Sequence, residues 1–219
     1  MTNPNLTAIG FILDRSGSMG YIADDTIGGF NQFLKTQKES EGEAVVTFAQ
    51  FDNVYEVVHD YVDINDVPEL TSETFQPRGG TALLDAMGNM INDFGNKFKN
   101  MEESERPGNV IIVVITDGHE NQSREFTKDE IFDNVTHQKE TYDWNFIFLG
   151  AGQDAIAVGT SYGFNIDSSV SYSSGKISST MNQLGGKVSR FRSSIKRGCS
   201  KSVASNSMSY SANDRDEIS

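Results

Sequence analysis

Cysteine is almost missing from this chain: Cys199 stands alone among 219 residues. A single thiol excludes an intrachain disulfide framework and any zinc site built from several cysteines. Histidine is nearly as scarce. His59, His119 and His137 show no relay spacing, and neither Ser16 nor Ser18 lies in the G-x-S-x-G context of an activated nucleophile. No apolar run approaches the roughly 20 residues needed to cross a bilayer. The polar start, Met1 to Thr7, does not read as a signal peptide, so a soluble cytoplasmic protein is the expectation. Basic residues are also in deficit, with 18 against 31 acidic ones, a net charge of -13 and a pI near 4.6. Such a surface repels phosphate backbones, which argues against a nucleic-acid partner.

What is present is a real core. Hydrophobic residues make up 37% of the chain and aromatics 10%, too much for a disordered polymer and enough for one sizeable α/β domain. Ala8 to Leu13 reads as a buried strand. Ile27, Phe30, Phe33 and Leu34 then recur at helical spacing within Ile22 to Lys38. Ala44 to Phe51 and Val54 to Val62 read as an antiparallel hairpin across an Asp52-Asn53 turn. The acidic, irregular stretch Asp63 to Arg78 reads as a solvated connection. A second apolar stripe, Leu83, Met87, Met90, Ile91, Phe94 and Phe98, marks the next helix, with its methionines as core.

Asn109 to Thr116 is the most β-branched stretch of the chain. It predicts a strand covered on both faces, hence a parallel sheet between helices. Thr127-Lys128-Asp129-Glu130 is a capping box opening a helix with Ile131, Phe132 and Val135 inward. Trp144 to Leu149 reads as another buried strand. It runs into Gly150-Ala151-Gly152-Gln153-Asp154-Ala155, a strand-to-helix turn whose match to a dinucleotide pattern is weak, because no suitably spaced acid follows. Ile166 to Val170 reads as a short edge strand. Ile177, Met181, Leu184, Val188, Phe191 and Ile195 form one face of an amphipathic helix. Its opposite face carries Lys187, Arg190, Arg192, Lys196 and Arg197 and is expected to be solvated. Residues 198–219 are serine-rich and read as a flexible tail beyond a domain spanning 1–197.

The expected fold is therefore a doubly wound, mostly parallel six-stranded sheet with one antiparallel edge strand and helices on both faces. In such sheets ligands bind beyond the carboxyl ends of the strands, where strand order reverses. Two acids, Asp14 and Asp117, occupy those ends. Asp14 opens the run Asp14-Arg15-Ser16-Gly17-Ser18, and Thr81 follows Gly79-Gly80 at a helix start. Three separate segments thus offer hard oxygen donors to one point, a set that suits a small hard cation such as Mg2+.

Asp14-x-Ser16-x-Ser18, Thr81 and Asp117 within Thr-Asp-Gly together resemble the metal-ion-dependent adhesion site (MIDAS) of von Willebrand factor A (vWA) domains. The resemblance runs from about residue 6 to 195, and the wording Leu-Asp-Arg-Ser-Gly-Ser-Met is closer to bacterial and phage intracellular members than to secreted adhesion proteins. It implies a divalent cation, usually Mg2+ with Mn2+ or Ca2+ as alternatives. Ser16, Ser18 and Thr81 would hold it, with Asp14 and Asp117 supplying charge in part through water. One coordination position would remain for an acidic side chain of a partner protein. Arg78, His119 and Arg124 would form a basic rim, and Glu120 would be a competing internal ligand.

The function implied is non-enzymatic: a metal-dependent protein-interaction module, an adaptor beside an AAA+ ATPase or part of a stress or metal-resistance system. The chain has no Walker motif, so such an ATPase would be a separate subunit. The rival readings are a Mg2+-dependent phosphohydrolase and a phage-associated assembly protein. The first lacks the second acid two residues after Asp14 that its chemistry commonly uses, where Ser16 stands.

Overall fold

The computed structural model describes residues 1–152, 154–173 and 175–219. Its strands are β1 (Asn3–Asp14), β2 (Glu43–Phe51), β3 (Tyr55–Asp63), β4 (Pro107–Thr116), β5 (Asn145–Ala151) and β6 (Ser169–Tyr172). They form one sheet in the order β3-β2-β1-β4-β5-β6. Every neighbouring pair is parallel except β2 with β3. The expected doubly wound sheet with an antiparallel edge is what the chain forms. Every residue of β4 is buried, which is why its sequence shows no polar alternation.

Helices cover both faces. Ile9, Phe11 and Leu13 of β1 pack in one cluster with α1 (Ala23–Lys38) and α5 (Ile177–Lys196). Ala8 and Ile12, pointing the other way, pack with α2 (Leu83–Lys99), α3 (Lys128–Tyr142) and α4 (Ala155–Ser161). This is the two-residue period of a strand buried on both sides. Phe11 meets Phe30 edge-on at 5.0 Å, and Phe30 lies 4.5 Å from Phe48, so aromatic packing fixes α1 against β1 and β2. The short turn Gly17–Ile22 that feeds α1 is anchored by buried Met19 and Ile22. From β1 the chain moves outward to β2 and β3, then returns to place β4 on the other side of β1. The β1–β4 boundary is therefore the switch point of the sheet.

Four local expectations differ from the structure. Residues 201–218 are not a loose tail. They form α6 (Lys201–Ser205) and α7 (Ala212–Ile218), and bury Ala204, Met208, Tyr210 and Ile218. The Tyr210 amide donates to Asp167 O at 2.8 Å and the Arg215 guanidinium to Ser169 O at 2.8 Å, so the segment covers the outer side of β6. Second, the basic face of α5 is only partly solvated. Lys187 is buried under this segment, donating to Ser209 O at 2.8 Å and pairing with Asp214 at 2.9 Å. Arg192 is buried too, donating to the carbonyls of Gln37 and Gly42 at 2.7 and 2.8 Å. Third, Phe132 is exposed while Ile131 and Val135 turn inward, although the Thr127–Glu130 capping box forms as expected. Fourth, the connection over 63–78 buries Ile64, Val67, Leu70 and Phe75 rather than standing in solvent. The Gly150–Ala155 turn does join β5 to α4, with Asp154 capping Ala157 N at 3.2 Å; Gln153 lies outside the described residues.

Candidate metal centre

Asp14 is the last residue of β1, and Thr116 and Asp117 stand at the end of β4. Parallel pairing of these strands brings both acids to the same end of the sheet. Asp14 accepts from the Ser16 amide through Oδ1 at 2.6 Å and from the Thr116 hydroxyl through Oδ2 at 2.5 Å. Ser16 Oγ lies 3.1 Å from Ser18 Oγ, and the Ser18 hydroxyl donates to Asp117 Oδ1 at 2.6 Å. Thr81 closes the group from the start of α2. A Cβ on Gly118 would stand 2.7 Å from Thr81 Oγ1 and 3.5 Å from Asp14 Oδ2. Glycine at 118 therefore leaves room for the Thr81 hydroxyl beside the Asp14 carboxylate. Asp14, Ser16 and Thr81 are buried while Ser18 is exposed, so the cluster is deep on one side and open on the other. All five residues singled out in the sequence meet here.

Burial pushes the Asp14 carboxyl up to about 6, against the lowering effect of its hydrogen-bond donors, and the nearby Asp117 charge adds to the rise. Burial also raises Asp117, opposed by the Ser18 hydroxyl. Below them the Tyr172 hydroxyl donates to Thr116 O at 3.3 Å; burial raises this phenol, and the two carboxylates raise it further. Among the described residues no basic side chain forms an ion pair with Asp14 or Asp117. The same residues contain no group of three or more His, Cys, Asp or Glu side chains able to hold a metal. Two carboxylates supplemented by three hydroxyls are the hard-oxygen chemistry that a small divalent cation fits.

The rim differs from the arrangement expected. Arg78 does not face the cluster with a free charge; its Nε donates to Asp52 Oδ2 at 2.7 Å. Glu120 accepts from Leu84 N at 3.0 Å, from Ser123 N at 2.8 Å and from the Ser123 hydroxyl at 2.7 Å. It is thereby a cap on α2. His119 and Arg124 are exposed. Thr81 and the loop after β4 are stitched together: Thr81 N donates to Asn121 Oδ1 at 3.0 Å and Asn121 N to Thr81 O at 3.0 Å. Asp85 accepts from three successive amides, Arg124, Glu125 and Phe126, at 2.8, 2.9 and 3.0 Å. The start of α2, with Thr81, is thus tied to the same loop that begins at Asp117.

Sequence reading missed Thr116, Asp52 and Asp85. Thr116 was discoverable from its place beside Asp117, whereas Asp52 reads only as a residue of the turn after β2. Asp85 carries no such signal, because its partners lie about 40 residues away.

No family model and no curated protein matches this chain. Solved structures match it by fold. A von Willebrand factor type A protein from Catenulispora acidiphila is 12% identical, with a TM-score of 0.54 over 86% of this chain and 43% of its own. Proximal thread matrix protein 1 from the mussel byssus, solved with a zinc-occupied MIDAS motif, is 13% identical, with a TM-score of 0.58 over 85% of this chain and 47% of its own. The vWF domain of the pilus tip protein Mfa5 from Porphyromonas gingivalis is 9% identical, with a TM-score of 0.58 over 83% of this chain and 94% of its own. This chain therefore spans less than half of the first two and nearly all of the third. The six-stranded, mostly parallel sheet with its helical layers and one antiparallel edge is the fold of von Willebrand factor A domains.

Proposed function

We propose that this chain is a non-catalytic, metal-dependent protein-interaction module. One observation carries the reading: two carboxylates, Asp14 and Asp117, share a partly buried site with three hydroxyls and, among the described residues, no ion-paired basic side chain. Side-by-side acids in such a place repel one another and lose hydration, so the arrangement calls for an external cation. Ser16, Ser18 and Thr81 would offer hydroxyls to it, and Asp14 and Asp117 negative charge. Mg2+ is the ion we assign, with Mn2+ or Ca2+ accepted by the same oxygens. When bound, the cation supplies an electrophilic position for an acidic side chain of a protein partner. Ser18 is exposed, so the site opens on the side from which such a side chain would arrive. An AAA+ ATPase on a separate chain, in the cytoplasm, is the kind of partner we assign. No helix among the described residues is long and apolar enough to cross a membrane.

The experiment is calorimetric titration of the full chain with Mg2+ and Mn2+, followed by capture from host lysate with metal or EDTA. Asp14→Ala and Thr81→Ala run beside the unaltered chain, with circular dichroism as the folding control. Metal binding lost in both variants, together with EDTA-sensitive capture, is expected. Capture that survives EDTA and both substitutions would overturn the reading. Turnover of phosphate esters dependent on Mg2+ would replace it with the phosphohydrolase.

A further inference from the structure

Asp52 lies outside the cluster of five oxygen donors, yet it touches two of the three segments that carry them. It sits in the tight turn between β2 and β3 and is only 2% exposed. Its Oδ1 accepts from Val54 N at 2.8 Å and closes the turn. Its Oδ2 accepts from two guanidiniums at once, Arg15 Nε at 3.1 Å and Arg78 Nε at 2.7 Å. Glu56 supports the arrangement, lying 2.8 Å from Arg15 Nη2. Backbone contacts reach the same places: Ala82 N donates to Asp52 O at 2.9 Å, and Gly80 N to Asn53 Oδ1 at 2.7 Å.

The position of these arginines gives Asp52 its importance. Arg15 follows Asp14 directly and is 7% exposed. Arg78 begins beside it, its amide donating to Arg15 O at 2.7 Å, while Gly79 O accepts from Gly17 N at 3.2 Å. Two guanidiniums thus originate at the edge of a site containing two carboxylates, and both point elsewhere. A guanidinium is the strongest side-chain partner a carboxylate has, often bidentate. Either one, if released, would be drawn to Asp14 or Asp117 and would stand in place of a divalent ion.

We infer that Asp52 is a positioning residue for the metal centre: it holds Arg15 and Arg78 off Asp14 and Asp117, reserving those carboxylates for a cation. The inference rests on the metal-centre reading above. Groups bonded directly to metal ligands commonly alter metal affinity by about 10–100-fold, which sets the scale expected when a guanidinium is released onto Asp14 or Asp117.

The test uses Mn2+ alone as probe, titrated calorimetrically into the full chain. Asp52→Asn keeps an oxygen for the Val54 amide and replaces Oδ2, the acceptor of both guanidiniums, with an uncharged NH2 that cannot accept from them. It is expected to weaken Mn2+ binding about tenfold or more. The triple variant Asp52→Asn, Arg15→Gln, Arg78→Gln removes the freed guanidiniums as well, and should bind Mn2+ more tightly than the single variant, with affinity restored toward that of the unaltered chain. A merely structural role for Asp52 gives the opposite ranking, because the triple variant loses more contacts than the single. If circular dichroism shows the single variant unfolded, the triple alone decides by the same criterion. Unchanged affinity in Asp52→Asn, or a triple variant that stays weak, overturns the inference and leaves the metal centre standing. An unaltered chain that binds no Mn2+ overturns both.

Discussion

The Thr116 hydroxyl donates to Asp14 Oδ2 at 2.5 Å, joining the ends of β4 and β1 at the point where the sheet changes direction. The bond satisfies half of a carboxylate that has no solvent exposure, while the Ser16 amide satisfies the other half. Hydrogen bonds to a charged group contribute about 1.5–3 kcal/mol each. Thr116→Val is expected to lower metal-free stability by about that amount, read as a shift in the urea midpoint at constant slope. An unchanged midpoint would show that the bond carries no net weight.

Gly118→Ala should damage the site without damaging the fold. The added methyl would meet Thr81 Oγ1 at 2.7 Å, a contact relieved by moving the hydroxyl or the loop that carries Asp117. Mn2+ affinity should fall at least tenfold, the scale seen when ligand placement is disturbed, while the far-ultraviolet spectrum stays unchanged. Full affinity in this variant would remove Thr81 from the set of ligands.

Divalent metal should raise thermal stability, because the proposed centre is assembled only in the folded chain. At a hundredfold excess over its Kd the gain is about 2.7 kcal/mol. Addition of EDTA should abolish the rise in Tm, and Ser18→Ala should reduce it. Equal melting curves in Mg2+ and EDTA would contradict the proposed centre.

Deletion of residues 201–219 is expected to destabilise the domain, contrary to what the serine-rich composition suggests. It removes four buried apolar side chains, Ala204, Met208, Tyr210 and Ile218, and uncovers the outer side of β6. It also strips Lys187 of Asp214. The Tm should drop by several degrees, since 1 kcal/mol corresponds to about 2–4 °C in a domain of this size. A melting curve identical to that of the full chain would mean the segment packs without contributing.

Acid should loosen that same segment. Asp214 is held down to about 2, chiefly by the hydrogen bond from Lys187, against about 3.9 in an unfolded chain. A depressed folded value gives stability that is complete above the unfolded value and is lost as pH falls through the folded one. The contribution of the Lys187–Asp214 pair should therefore fade between about pH 4 and pH 2. Asp214→Asn should flatten that part of the stability profile; an acid limb of unaltered slope would assign the loss to other carboxylates.

The elements that were legible in the sequence are those whose signal is local. The strand over 109–116 shows itself by unbroken β-branched residues, and α2 and α5 by apolar stripes of helical period. The convergence of Asp14, Ser16, Ser18, Thr81 and Asp117 was also legible, because a doubly wound sheet sends the ends of its parallel strands to one edge. Contacts between distant segments left no such trace. Ala204, Met208, Tyr210 and Ile218 follow no period, and they bury only because α5 and β6 present a surface to receive them. Lys187 looks like an exposed base until Asp214, 27 residues on, folds over it. Asp52 reads as one turn residue among many. Its role arises because Arg15 and Arg78, 37 and 26 residues away in the chain, reach the same oxygen. Periodicity is written in neighbouring residues, whereas the pairing of single charges depends on where the backbone has already brought them.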